Sequence, residues 1–363
     1  MQENNIGTAL QGKPAHRRRS CLGCLGRLAI GSLVFLVIIM AAGAIYQAAA
    51  SASDLKKYPP PGQLYDVGGH KLHLYCTGEG SPTVILEAGA ASPALAWYLV
   101  QEKVAGFTRV CSYDRAGFGW SDPGSGPLSS EQVAANLHNL LETAQVSGPY
   151  ILVGHSAGGV YIRSYTRQYP SEVLGLVFVD SSHESQNLRF PPKFQEYSER
   201  QNLMTRLCQF ISPFGAMRVT RAWDMLIPES VASSEMGEAV MATMYRTPYC
   251  SAAYDEMIIF TGSLSQPEGP ASQGDLPLIV LSAGASFDQM PAAVVTAIGR
   301  DTLTQVIQVS QELQQELASL STQGVQVIAE KSGHYIQWDQ PDLVIDAIRT
   351  MVMQVRSKGE YLF

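Results

Sequence analysis

The run Gly154-His155-Ser156-Ala157-Gly158 is the part of this sequence best placed to do chemistry. It has the form G-x-S-x-G, follows the apolar stretch 150–153, and opens a segment of helical periodicity that Pro170 ends. A serine on a tight strand-to-helix turn projects its hydroxyl. Small flanking residues let the turn approach its neighbours, and the helix N-terminus favours negative charge nearby. A neutral hydroxyl is a weak nucleophile and needs a base. Of the seven histidines, at 16, 70, 73, 138, 155, 183 and 334, His334 suits that role. It follows the last predicted strand, in Ser332-Gly333-His334, and fits the chain order serine, acid, histidine. His155 is the variable residue of the turn and reads as structural. His183 lies just past a strand end, where a pocket would border it. His70 and His73 fit an alternating strand and His138 a helix, and no pair has zinc spacing.

These residues must be held by a regular frame, and the sequence supplies one. Strands are expected at 63–67, 70–76, 83–87, 110–113, 150–153, 174–179, 278–282 and 325–329, with Gly68-Gly69 as a hairpin turn. Helices are expected at 129–144, where Ser129 and Gln132 suit a capping box, and at 305–320 and 342–355. Strands that are apolar throughout and alternate with helices imply a parallel sheet covered on both faces. The stretch from about 183 to 274 breaks that alternation. It holds seven methionines, from Met204 to Met257, and several helix-like pieces, so it reads as a cap inserted between two strands.

With these motifs in place, residues 62–355 resemble an α/β-hydrolase. The resemblance rests on Glu87-Ala88-Gly89-Ala90, on the run from Asp114-Arg115 through Gly117-Phe118-Gly119 to Asp122, on the Ser156 turn, and on Ser332-Gly333-His334. It implies an α/β-hydrolase fold with an eight-stranded, mostly parallel sheet, helices on both faces and a helical cap. It also implies a Ser156 nucleophile, His334 as base, and backbone N–H groups of Ala157 and Ala90 as the oxyanion hole. The acid has two candidates. Asp180 ends the strand after the nucleophile helix, as in a minority of lineages, and Asp288 follows the next strand, where most keep it. We take Asp180 first. Many relatives carry His-Gly where this chain has Ala88-Gly89, which removes a side chain that braces the loop. Asp114-Arg115 reads as a structural turn. The implied activity is hydrolysis of a carboxylic ester or related acyl bond through an acyl-enzyme, with no metal or organic cofactor and a small, apolar substrate. A peptidase, thioesterase or C–C bond hydrolase would use the same triad, and a ligand-binding or sensory protein with little turnover is the rival of a different class. The Met, Phe and Leu content of the cap suits an adaptable apolar pocket. Serine at 156 argues against epoxide hydrolase or haloalkane dehalogenase chemistry, which uses Asp there on this fold. Pairing of Cys76 with Cys111 follows from the strand order the resemblance implies, and Cys208 and Cys250 both fall in the cap.

Only 16% of the 363 residues are charged, against roughly 25% in an average globular chain. Much of the deficit lies in residues 28–53, which carry no charge and include LVFLVIIM at 33–40. That run is long enough to cross a bilayer. Arg17-Arg18-Arg19 and Arg27 precede it, so the N-terminus is expected in the cytoplasm and the acidic remainder outside. The alternative is a signal peptide cleaved near Ser51 or Ser53. The expected organisation is a basic segment 1–27, a membrane helix 28–50, a linker 51–61 rich in charge and proline, the hydrolase domain 62–355 with its cap at about 183–274, and a tail 356–363. Cys21 and Cys24 would face the cytoplasm, as thiols or acylated. A net charge of −7 and a sequence pI near 5.5 speak against nucleic acid as a partner. The apolar fraction of 46% rules out general disorder.

Overall fold

A computed structural model describes residues 21–124, 126, 129–224, 234–264, 270–284 and 292–359. Eight strands form one sheet: β1 (Gln63–Asp66), β2 (Lys71–Thr77), β3 (Thr83–Glu87), β4 (Val110–Tyr113), β5 (Tyr150–His155), β6 (Val173–Val179), β7 (Leu278–Ala283) and β8 (Gly324–Ala329). Their order across the sheet is β1-β2-β4-β3-β5-β6-β7-β8. The β1–β2 and β2–β4 pairs are antiparallel, and every later pair is parallel.

The central strands carry apolar side chains on both faces because both faces are covered. On one side Val84, Leu86, Val153 and Val177 pack against Val344, Ile348 and Met351. On the other, Ile85, Leu152, Leu176 and Phe178 pack against Leu137, Leu141, Ile162 and Tyr165. Alternate residues of one strand thus enter opposite cores, as the period of two requires. The register sets Ile85 beside Leu152 and Val153 beside Val177.

In chain order the helices are α1 (Cys21–Lys57), α2 (Tyr98–Val104), α3 (Ser130–Thr143), α4 (Ala157–Gln168), then the cap helices α5 (Gln186–Arg189), α6 (Pro192–Ile211), α7 (Ala216–Val219), α8 (Glu235–Met244) and α9 (Thr247–Ser263), and finally α10 (Ala292–Ile298), α11 (Arg300–Ser319), α12 (Ile336–Asp339) and α13 (Pro341–Ser357). The Ser129 hydroxyl accepts from the Gln132 N–H at 3.3 Å while Gln132 Oε1 accepts from the Ser129 N–H at 2.8 Å, closing the capping box that starts α3. Disulfides join Cys76 to Cys111, which face each other across β2 and β4, and Cys208 to Cys250, which tie α6 to α9.

Two expectations need correction. Residues 51–57 are not a spacer: α1 runs unbroken to Lys57 and stops only before Pro59-Pro60-Pro61. Alanine and lysine are good helix formers, and the terminal Lys56 and Lys57 suit the negative end of the helix dipole, so charge alone does not end a helix. Nor do the described methionines of the cap line the pocket. Met244 is buried, and Met217, Met236 and Met241 are half-buried, in a separate core with Phe118, Trp120 and Leu95.

From Leu25 to Ile39 the apolar side chains of α1 are exposed all round, as in a helix that has no protein neighbour there. From Met40 onward one stripe is covered: Gly43, Ala44, Gln47, Ser51, Asp54 and Tyr58 lie against the cap. Gln47 donates to the Tyr245 carbonyl at 2.7 Å, and Arg218 pairs with Asp54 at 2.6 Å. At Gly43 a Cβ would come into collision with the carbonyl oxygen of Phe214, so the glycine lets that cap turn lie flush on the helix.

Candidate active site

Ser156 sits between β5 and α4 with φ 52° and ψ −121°, a conformation that side-chain-bearing residues rarely adopt. The turn is held there by contact. A Cβ on Gly154 would stand 2.7 Å from the Gly158 backbone, and one on Gly158 would stand 2.5 Å from the Glu87 carbonyl oxygen. Two glycines therefore let the end of β5 fold against α4, and α4 against the end of β3. Ala157 is the first residue of α4, where backbone N–H groups have no partner within the helix.

Asp180 follows β6 with φ 40°. Its N–H donates to the Leu281 carbonyl at 2.7 Å, and its Oδ1 accepts from the Ala283 N–H at 2.9 Å. Its Oδ2 lies 2.6 Å from Nδ1 of His334. With Nδ1 bound to the carboxylate, Nε2 is the nitrogen left to exchange a proton. The His334 side chain is 45% exposed and that of Asp180 17%, so the ring faces the open space with its carboxylate behind it. The loop is fixed by Asp339, whose Oδ2 accepts from the Gly333 N–H at 3.0 Å and the Ser332 hydroxyl at 3.1 Å. The His334 carbonyl accepts from Nε2 of buried His155 at 2.9 Å. Burial, and then the nearby His334, hold the His155 imidazole well below its ordinary pKa, so it is a neutral prop.

Ser156, Asp180 and His334 line one cavity of about 380 Å³. Its apolar wall comes from Phe190, Phe194, Tyr197 and Phe260 of the cap and from Leu303 and Val306 of α11. No methionine is among its described lining residues. His183 also borders it; its Nδ1 accepts from the Ser185 N–H at 3.1 Å, and burial lowers its pKa. Asp288 lies outside the described residues. Of the other described histidines, His73 pairs with Asp114 at 2.8 Å in the core, and His138 stacks on Tyr169. Among the described residues no group of three or more His, Cys, Asp or Glu could hold a metal ion.

The loop bearing Ala90 shows what sequence reading missed. Arg115 donates to the Ala88 carbonyl at 2.9 Å and to the Gly89 carbonyl at 2.7 Å. It also pairs with Glu87 and with Glu256, each at 2.7 Å. Glu256 in turn accepts from the Ala91 N–H at 2.6 Å. Arg115 and Glu256 thus clamp the loop from both ends. The signal in the sequence is an arginine just after β4, next to β3 in the sheet; Glu256, on a distant cap helix, carried none. Burial pushes Glu87 up to about 7 even though Arg115 opposes the shift. Asp114 is a turn residue, accepting from the N–H groups of Ala94 and Trp120 at 2.7 and 3.1 Å.

Residues 84–347 match the model of the alpha/beta hydrolase family, and the chain belongs to that family. It is 26% identical over 295 residues to an AB hydrolase superfamily protein of Gibberella zeae, covering 76% of this chain and 87% of that one. It is 27% identical over 309 residues to efuK, a probable transporter of Hormonema carpetanum, covering 81% of this chain but only 43% of that protein. The chain therefore spans less than half the length of that relative. Among solved structures, a thermophilic esterase from Thermogutta terrifontis matches with a TM-score of 0.56 at 20% identity, over 79% of this chain and 94% of that one. A likeness at this level speaks to fold, and the chemistry has to be argued from the site.

Proposed function

We propose that the chain is a serine hydrolase that cleaves a carboxylic ester through an acyl-enzyme. The Ser156 hydroxyl attacks the carbonyl carbon as Nε2 of His334 takes its proton. The alkoxide leaves with that proton, and water, deprotonated by the same nitrogen, releases the acid and restores the serine. Asp180 holds the tautomer and stabilises the imidazolium. The N–H groups of Ala157 and Ala90 face the oxyanion, and the clamp of Arg115 and Glu256 keeps Ala90 in position. One observation carries this reading: the 2.6 Å contact between Asp180 and His334 in the cavity that Ser156 also lines. The apolar wall favours an acyl group of hydrocarbon character. We also propose that α1 anchors the protein in a membrane, because residues 24–57 include a window of mean hydropathy 2.7 with none of it buried.

The test is a fluorophosphonate applied to the full chain in detergent, with the adduct mapped by peptide mass spectrometry. A single adduct on Ser156, absent in Ser156→Ala, is expected. No adduct, or one that persists in Ser156→Ala, contradicts the reading.

A further inference from the structure

The outer face of α6 is apolar where solvent would be expected. Leu203, Met204, Leu207, Phe210 and Ile211 are 45–64% exposed. They fall within about 120° of helix arc at 3.6 residues per turn, so they form one stripe rather than scattered positions. Arg200 and Arg206, both exposed, flank it. Glu196 and Glu199 lie on the same side of the helix, one to two turns before the stripe.

The place of this stripe says what covers it. α6 ends at Ile211 and passes directly into the turn Ser212–Phe214, the turn that lies flush on α1 at Gly43. A helix needs about 20 residues to cross the hydrocarbon core, and counting these from Leu28 brings α1 to Gln47. The cap takes hold of α1 earlier, from Met40. The overlap, Met40 to Gln47, is about 10 Å of helix at 1.5 Å per residue. Cap elements bound there are held within about 10 Å of the boundary between headgroups and acyl chains, on its acyl side, and the apolar end of α6 is next to them. A polar face would be desolvated at that depth, whereas leucine, methionine and phenylalanine gain from it, with flanking arginines reaching the headgroups. The same helix carries Phe194 and Tyr197, which line the cavity with Ser156.

We propose that the Leu203–Ile211 face of α6 lies on the bilayer surface, and that the cavity draws its substrate, an ester with a long acyl chain, from the membrane. This rests on the anchor and hydrolase readings above. α6 is then the element that spans from lipid to active site, and the disulfide from Cys208 to Cys250 locks it to α9.

The test uses the full chain in phosphatidylcholine vesicles, with Cys21 and Cys24 replaced by serine and a bimane label at Phe210→Cys. A control label goes at Glu79→Cys, in the exposed loop between β2 and β3 at the opposite end of the sheet. Lipids bearing a doxyl group are expected to quench the Phe210→Cys label about twofold or more and to leave the Glu79→Cys label bright, as a buried interfacial face requires. In unlabelled protein, Leu207→Glu with Phe210→Glu is expected to lower the ratio of rates on vesicle-embedded over water-soluble ester about tenfold. If the vesicles do not retain the protein, the anchor reading fails and takes this inference with it. Retained protein with no quenching at Phe210→Cys overturns the inference alone. Quenching with an unaltered rate ratio in the double variant overturns the delivery of substrate from the membrane.

Discussion

Arg115 sits between two carboxylates, Glu87 and Glu256, and holds the carbonyls of Ala88 and Gly89. Removing a charge from such a buried group leaves its partners unpaired. Arg115→Met should therefore lower stability by about 3–5 kcal/mol, measured by denaturant unfolding. Arg115→Lys keeps the charge but not the planar fork, so it should lower kcat/KM more than it lowers stability. Glu87 gives a second prediction. Its folded pKa is raised to about 7 from an ordinary 4.5, so between those values the folded chain keeps a proton that the unfolded chain has lost. Folded stability should fall as pH rises through that window and level off above it. Burial is the main cause: an ionised Glu87 gives up its hydration, and the nearby Arg115 returns only part of that cost. Unfolding measured from pH 4.5 to 8 should show this slope in the wild type, and Glu87→Gln should flatten it. A slope that is unchanged in the variant would assign it to other groups.

At the scale of elements, the apolar strands, the capping box and the Ser156 turn were legible because they depend on local periodicity and turn chemistry. The choice between Asp180 and Asp288 was not. It depends on how far each loop stands from His334, and spacing in the sequence leaves that distance open. The Arg115–Glu256 clamp was illegible for the same reason: one partner lies on a sheet strand's exit and the other on a cap helix. The seven-residue extension of α1 is hidden in the sequence because its charge resembles a spacer, whereas only the prolines stop a helix. The extension adds Asp54 to a contact between α1 and the cap that begins at Met40. Gly43→Leu should push the Ser212–Phe214 turn off the helix and speed hydrogen exchange in α7 and α8, where the cap meets α1. Unaltered protection there would mean that the contact adds little.

The whole molecule is an alpha/beta hydrolase domain whose cap is bound on one side to the site and on the other to a long apolar helix. The low charge content therefore has two sources, the exposed apolar half of α1 and a sheet buried on both faces. Met217, Met236, Met241 and Met244 of the cap fill the seam between the cap and the loop after β4, and phenylalanines shape the cavity. The central claim concerns the groups gathered in that cavity. It is tested most directly by the rate of hydrolysis of an activated acyl ester by Asp180→Asn and Asp288→Asn, compared with wild type. Asp180→Asn is expected to lose about 10³- to 10⁴-fold in kcat, as loss of the acid in such a triad does, while Asp288→Asn stays within a factor of a few. Loss of activity in Asp288→Asn with Asp180→Asn unimpaired would contradict it.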